Sequence, residues 1–282
     1  IKTGLVLLGA EILFNRVLAL GAHGLGVAWV VPPLLLIIMY LYGTKVLKMK
    51  SKALVATVAT CTSVCGVSAA IATGAAVKAK KEEISAAISV SLIVTVLMML
   101  GMPVLIRWMG LSEAVAGSWI GGTVDSTGAV VVAGSMVGPL AMEVAAIVKM
   151  LQNALIGVVA FAWALFFVTR VEKVPGTEKL GVKEIWLRFP KFILGFVGAS
   201  LLMSFVFVPW LGQGQVDGIL AVTATARKWF FTLAFVSIGL DSRFANLKQI
   251  FSGQPTVKLH VVGQTVNLIL TLLASMYFFR GF

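Results

Sequence analysis

Long apolar runs, interrupted twice by stretches of small and hydroxylated residues, set the pattern of this chain. The runs fall over residues 27–42, 84–106, 139–168, 192–211, 218–240 and 259–279. About 20 apolar residues suffice to cross a bilayer as a helix, so these runs predict membrane-spanning helices. They are continuous rather than alternating, which argues against the strands of a membrane barrel. Residues 1–20 are apolar but carry Glu11, Asn15 and Arg16, which suits a helix whose far end reaches an interface or a protein-lined cavity. Gly21 to Gly26 reads as a break, and Pro32-Pro33 opens the next run. The prediction is an all-α, polytopic membrane protein: one transmembrane domain over 1–282, in halves 1–110 and 111–282, with seven to nine membrane segments.

The two interruptions differ in kind from the runs. Residues 53–77 are long enough to cross but contain Cys61-Thr-Ser-Val-Cys65-Gly66-Val-Ser68 and Gly74. Residues 112–137 contain Gly121-Gly122-Thr123-Val-Asp125-Ser126-Thr127-Gly128 and Gly134. Glycine lowers helix stability by roughly 1 kcal/mol relative to alanine, and a bare carboxylate is costly inside a bilayer. Glycine-interrupted segments among long apolar helices are the sequence mark of a transporter site near the bilayer midplane.

Composition and charge sharpen this. Hydrophobic residues make up 59% of the chain and charged ones 12%, with a mean hydropathy of +1.01; a soluble domain needs more polar surface to cover its core. The net charge of +12 would suggest nucleic acid in a soluble protein. Here the bases gather in short loops, where they set orientation against the membrane, and no nucleic-acid role is expected. Loop 43–52 holds Lys45, Lys48, Lys50 and Lys52, loop 169–191 holds six bases against three glutamates, and loop 241–258 holds Arg243, Lys248 and Lys258. All three are placed in the cytoplasm. The base-free turn 212–215 and the C-terminus fall outside. Lys78, Lys80 and Lys81 follow the first interruption. A full crossing would put them outside, and a re-entrant hairpin would return them to the cytoplasm; charge favours the hairpin. The chain opens on Ile1 within an apolar run, so the natural protein is expected to begin earlier.

The candidate chemistry concentrates on a few side chains. Asp125 is the one acid in the glycine-rich stretch Gly121–Gly134, and it either holds a coupling proton or cation or caps a half-helix by accepting backbone N–H groups. Thr123, Ser126 and Thr127 can complete an ion or anion shell. Lys149, Gln152 and Asn153 share one helical face at i, i+3, i+4, and Lys149 lies roughly 15 Å beyond Pro139 at 1.5 Å per residue. Lys149 reads either as a counter-charge for an anion or for Asp125, or as an interfacial lysine on a later-starting helix. Arg227 and Lys228 follow Thr223-Ala-Thr225-Ala in an apolar stretch; they need an anionic partner, water or a break in the helix, or they end a loop. Cys65, Gly66 and Ser68 serve either close helix packing or ligand contact. Cys61 and Cys65 sit one turn apart without a metal-binding set. An intramembrane hydrolase is disfavoured. Asp125-Ser-Thr-Gly has one residue too many for an aspartic-protease motif, that mechanism needs a second carboxylate, and neither His23 nor His260 falls in a suitable segment. No catalytic residue, metal or cofactor is assigned.

Gly121-Gly-x-Val followed by Val130-Val-Val-Ala-Gly134, the earlier Cys65-Gly-x-Ser-Ala-Ala, Lys149, and Phe231-Thr-Leu-Ala-Phe-Val-Ser-Ile-Gly239-Leu together resemble the sulfate-exporter family of bacterial inner-membrane transporters. That family sits within the cation–proton antiporter and anion transporter superfamily. The resemblance covers essentially the whole chain. It implies inverted repeats with discontinuous helices crossing near the midplane, a core moving against a scaffold, and at least one helix before Ile1. It also favours full crossings over hairpins. Where many members carry His-Glu this chain has Asp125-Ser126, and where an arginine often follows the lysine it has Gln152, so those roles do not carry over.

The expectation is an ion-coupled secondary transporter, an exporter, of a small inorganic or organic anion such as sulfate or an organosulfonate. The coupling ion is H⁺ or Na⁺ at Asp125. The substrate contacts are Cys65, Gly66, Ser68, Gly121, Gly122, Thr123, Ser126, Thr127, Lys149, Asn153, Thr225, Arg227 and Lys228. The alternatives are an anion channel or facilitator and an uptake symporter for a small organic acid. The location implied is the bacterial inner membrane, multi-pass and in contact with lipid, and a homodimer is allowed for.

Overall fold

The structure is a computed structural model of the chain, and it describes residues 2–11, 14–172, 192–241 and 254–281. Among these residues every regular element is helical. In chain order they are α1 (Lys2–Glu11), α2 (Phe14–Leu41), α3 (Lys52–Ser63), α4 (Gly66–Ala76), α5 (Lys81–Met109), α6 (Glu113–Thr123), α7 (Thr127–Val137) and α8 (Pro139–Phe166). After residue 191 come α9 (Phe192–Leu202), α10 (Val208–Leu211), α11 (Gln213–Asp241) and α12 (Pro255–Phe278). The helices start and stop where local chemistry dictates. Ser51 Oγ accepts from Leu54 N at α3, Glu83 accepts from the Lys80 N–H at α5, and Gly110 closes α5 in the left-handed region at φ +63°.

Among the described residues four helices are long and apolar enough to cross a membrane: Leu20–Val46, Lys81–Met109, Pro139–Val171 and Pro255–Phe278. They match four of the predicted runs, and their outward faces are apolar. Leu34, Ile37 and Ile38 on α2, and Leu97, Val104 and Trp108 on α5, are exposed, as lipid-facing residues must be. The chain is a polytopic helical membrane protein. The runs at 192–211 and 218–240 fall on α9–α10 and α11. Loops 169–191 and 241–258, expected to be cytoplasmic, lie mostly outside the described residues.

The two interruptions are helical hairpins, and α8 serves as the ruler that shows it. α6 climbs along α8: Gly117 abuts Ala141, Gly121 abuts Ala145, and the Gly122 carbonyl meets Gln152. α7 runs back down, with Thr127 beside Asn153 and Gly134 beside Met142. The base of this hairpin is pinned by Glu113, whose carboxylate accepts from the N–H groups of Leu140 and Ala141 at 3.0 and 3.3 Å. Those N–H groups belong to the first turn of α8 and have no intrahelical partner. α3 enters from the other end of α8: Thr60 meets Trp163, Ser63 meets Gln152 and Val64 meets Lys149. α4 then returns, since Gly66 lies against Ser91 of α5 and Gly74 against Ile84 and Thr57.

The hairpins thus enter from opposite ends and touch near the middle of α8. There the Gly66 N–H donates to the Asp125 carbonyl at 3.0 Å. α2 runs alongside α8 (Trp29 to the Leu151 carbonyl, Tyr40 against Trp163), and α12 runs back along α2 (Met39 at Gly263, Phe278 at Gly26). Consequently Lys45, Lys48, Lys50, Lys52, Lys78, Lys80, Lys81, Arg170 and Lys258 share one end, and Arg107 and Arg280 mark the other. The charge reading of 53–77 holds, and the full crossing that the family resemblance favoured does not. α1 packs against α9 and α11; α9 also touches α2, and α11 touches α5 and α7.

Candidate functional site

Ending two helices inside a protein leaves carbonyl groups without partners, and here side chains from α8 and α12 supply them. At the end of α3, Gln152 Nε2 donates to the Ser63 carbonyl (3.0 Å), Lys149 Nζ to that of Val64 (3.0 Å) and Asn267 Nδ2 to that of Thr62 (3.4 Å). At the end of α6, Gln152 Nε2 also reaches the Gly122 carbonyl (3.2 Å), and Gln264 Nε2 reaches that of Thr123 (2.9 Å). Gln152 therefore ties one hairpin tip to the other. Its own Oε1 accepts from Lys149.

Lys149, Gln152 and Asn153 share the face that their spacing predicted, and none is more than 1% exposed. Lys149 is among the largest fully buried side chains of the described residues. Its hydrogen-bond partners, a backbone carbonyl and an amide oxygen, are both neutral. The ammonium faces the C-terminal end of α3, where the helix dipole favours a cation.

Asp125 occupies the turn between α6 and α7 and is 2% exposed. Its Oδ2 accepts from Ser91 Oγ at 2.7 Å and lies 3.6 Å from His260 Nε2. Among the described residues its Oδ1 has no hydrogen-bond partner. His260 is wholly buried, with Nδ1 3.0 Å from Thr62 Oγ1. Asp125 is not a cap for α7: Ser126 holds that position, and its side chain makes no cap bond to the α7 N-terminus. The N-terminus of α4, at Cys65, is likewise without a side-chain cap. Two helix N-termini without side-chain caps, one from each hairpin, thus meet at the tips, the first N–H of α4 (Gly66) being taken by the Asp125 carbonyl, and such ends favour anions. Further polar atoms there lack partners among the described residues: Thr123 Oγ1, Asn153 Oδ1 and Gln264 Oε1.

The expected contact residues divide into two groups. Cys65, Gly66, Gly122, Thr123, Asp125, Ser126, Thr127, Lys149 and Asn153 come together at the tips. Gly121 is spent on packing: a Cβ there would sit 2.7 Å from the Ala145 carbonyl. Ser68 is exposed on α4, with its side chain hydrogen-bonded to Cys65 at the tips. Thr225 is exposed on α11 and bonds the carbonyl of Ala221 on its own helix. Arg227 and Lys228 lie in the backbone of α11, which runs unbroken where the sequence allowed a break; their side chains fall outside the described structure. Both cysteines are free thiols. Among the described residues no group of three or more His, Cys, Asp or Glu side chains is placed to hold a metal ion.

Sequence reasoning missed Ser91, His260, Gln264 and Asn267. A signal was present for the last three. His260, Gln264, Asn267, Thr271 and Ser275 recur at intervals of three and four in an apolar run, which is one face of a helix, and all five are buried.

The comparisons with known proteins give the chain relatives. UPF0324 membrane protein RB9488 of Rhodopirellula baltica is 53% identical over 286 residues, 99% of this chain and 52% of that protein. A UPF0324 membrane protein of Nitratidesulfovibrio vulgaris is 48% identical over 287 residues, 99% of this chain and 49% of that protein. UPF0324 membrane protein TauZ of Paracoccus pantotrophus is 24% identical over 281 residues, 98% of this chain and 78% of that protein. The chain spans about half the length of the first two relatives. No solved structure matches it. Residues 1–255 match the model of the family described as Conserved hypothetical protein 698, and the chain belongs to that family, among relatives that carry the name UPF0324 membrane protein.

Proposed function

We propose that the chain is the transport unit of an ion-coupled secondary transporter for a small anion, sulfate-like or organosulfonate-like, working as an exporter in the bacterial inner membrane. The observation that carries this reading is the meeting of two hairpins from opposite ends, with uncapped helix N-termini from both beside a buried ammonium. Helix N-termini attract anions through free N–H groups and dipole. Lys149 adds a full charge whose present partners are neutral. Transporter sites of this kind use interrupted helices because only there can backbone groups face a ligand inside a bilayer. Asp125 is the coupling residue, for H⁺ or Na⁺. Against a channel stands the closed contact at the tips: Lys149, Gln152 and Asn153 are buried, whereas conduction needs a continuous polar lining. The lysine-rich end belongs in the cytoplasm.

The test is flux into proteoliposomes of labelled sulfate, an organosulfonate and a small carboxylate, with and without proton or sodium gradients. Gradient-driven accumulation of an anion is expected, abolished in Asp125→Asn, while exchange of the anion down its own gradient persists. Gradient-independent flux that never saturates would replace the transporter with a channel. No flux of any anion under any gradient would end the reading.

A further inference from the structure

His260 was absent from the sequence-based site, lies beyond the residues matched to the family model, and points at the one buried acid of the hairpin tips. Its tautomer turns on a single hydrogen. Thr62 Oγ1 lies 3.0 Å from the Val58 carbonyl one turn back on α3 and 3.0 Å from His260 Nδ1. With the hydroxyl hydrogen on the carbonyl, both contacts are hydrogen bonds when Nδ1 carries the ring hydrogen and the hydroxyl oxygen accepts it, and this is the tautomer we assign to His260. A neutral imidazole with hydrogen on Nδ1 has a bare lone pair on Nε2. That lone pair faces Asp125 Oδ2 at 3.6 Å, with both side chains shut off from solvent. The remaining hydroxyl, Ser91 Oγ, already donates to the same oxygen at 2.7 Å. Two acceptors facing each other repel unless one of them carries a proton.

We propose that Asp125 and His260 form a one-proton pair, with His260 held by Thr62, and that this proton is the coupling ion of the transport reaction; the coupling half of this statement rests on the transporter reading above. In the loaded state the proton lies between Nε2 and Oδ2, and the two atoms draw together into a hydrogen bond. In the empty state the pair carries one negative charge. The other charged or titratable groups around it are Cys61 and Cys65 from the first hairpin and Lys149 from α8. α5 contributes the uncharged Ser91. Loss of the proton leaves a carboxylate that interacts with the Lys149 ammonium, the same ammonium assigned to the anion. The empty pair and the bound anion therefore compete for one positive charge, which gives a physical route from protonation to anion affinity.

The chain has two histidines, and His23 is exposed, so nitrogen NMR of the histidine-labelled protein in lipid resolves the pair once His23→Gln has removed the other signal. Expected across a pH series is an Nδ1 that stays protonated while Nε2 passes from bare to protonated. That step should change in Asp125→Asn, and Nδ1 should lose its fixed proton in Thr62→Val. A neutral ring with hydrogen on Nε2 and a bare Nδ1 at every pH would overturn the pair, whatever the flux assays show. For coupling, His260→Gln and Thr62→Val are measured in the same vesicles as wild type. Loss of proton-driven accumulation with anion exchange retained is expected. Wild-type accumulation driven by sodium and indifferent to a pH gradient would overturn the coupling role and leave the transporter reading standing. Absence of wild-type flux would remove the transporter reading and the coupling role together, while the NMR still decides the pair.

Discussion

Gln152 is the side chain on which the contact between the hairpins most depends, and Gln152→Leu tests that dependence. The substitution nearly conserves volume, so little cavity is opened. It removes the amide hydrogens that satisfy the Ser63 and Gly122 carbonyls, and the oxygen that accepts from Lys149. Each buried carbonyl left without a partner costs about 1–3 kcal/mol. The lost bond from a charged donor costs about 1.5–3 kcal/mol, and added apolar contact at the leucine recovers only part. A destabilisation of roughly 3–6 kcal/mol follows. The assay is reversible unfolding in lipid-detergent micelles titrated with a denaturing detergent, against wild type and Gln152→Glu. The glutamate keeps an acceptor for Lys149 but has no hydrogens for the two carbonyls, so it should fall between the two. A leucine variant within about 1 kcal/mol of wild type would show that the tips are not held together by this amide, and would remove the central tie from the fold argument.

Three further outcomes follow from the same geometry. Cysteines placed at exposed Lys48 and Lys80 should react with a membrane-impermeant reagent from the same side of sealed vesicles, and one at exposed Ser112 from the other; labelling of 48 and 80 from opposite sides would replace the first hairpin with a full crossing. Gly117→Ala puts a methyl 2.4 Å from the Ala141 carbonyl oxygen, where backbone must move, and should cost at least about 1–3 kcal/mol in the same unfolding assay; wild-type stability would refute the close approach of α6 to α8. Lys149→Gln should raise the anion concentration needed for half-maximal transport more than it lowers the yield of folded protein, and an unchanged concentration dependence would remove Lys149 from the anion site.

How much of this was legible in the sequence depends on the range over which each signal acts. The membrane-spanning runs are local and strong, and four reappear as long apolar helices. Two break points were legible as well, because glycine, hydroxyls and a lone acid clustered at Cys65–Ser68 and Gly121–Gly128, whereas the break expected at Gly21–Gly26 lies inside the unbroken helix α2, where glycine alone does not end a helix held by packing. The shared face of Lys149, Gln152 and Asn153 follows from helical spacing alone. Whether a broken segment crosses or turns back was not legible from composition, which is the same for both; only the lysines at 78, 80 and 81 pointed to the right answer. The partners of the tips were harder still. Gln264 reaches Thr123 across 141 residues and Asn267 reaches Thr62 across 205, and no window of sequence holds both ends of such a contact. Thr225 shows the converse failure. A hydroxyl next to two bases in an apolar stretch resembles a binding motif, yet it faces outward on an unbroken helix and bonds its own backbone.

The helix ends at the tips are treated unequally, and the inequality bears on what the site holds. The carbonyl ends of α3 and α6 are met by amides from Gln152, Gln264 and Asn267 and by the Lys149 ammonium, so these ends are closed by the protein itself. The N–H ends of α4 and α7 receive no side-chain cap, although Ser126 stands at the cap position of α7 with a hydroxyl able to serve. A fold that needed only a stable buried turn would gain by capping both kinds of end. Leaving the donor ends without side-chain caps while closing the acceptor ends keeps positive potential at the tips, which suits an anion. The two hairpins are also held differently. α6 and α7 press on α8 through backbone-to-backbone approaches at Gly117, Gly121 and Gly134, whereas Gly66 and Gly74 of the first hairpin meet side chains of α5 and exposed Ile71 lies on its outer face. Backbone contacts admit few alternative packings, while side chains can change rotamer and let a hairpin slide. If the tips part to release an anion, the second hairpin is therefore the fixed wall and the first is the one that moves.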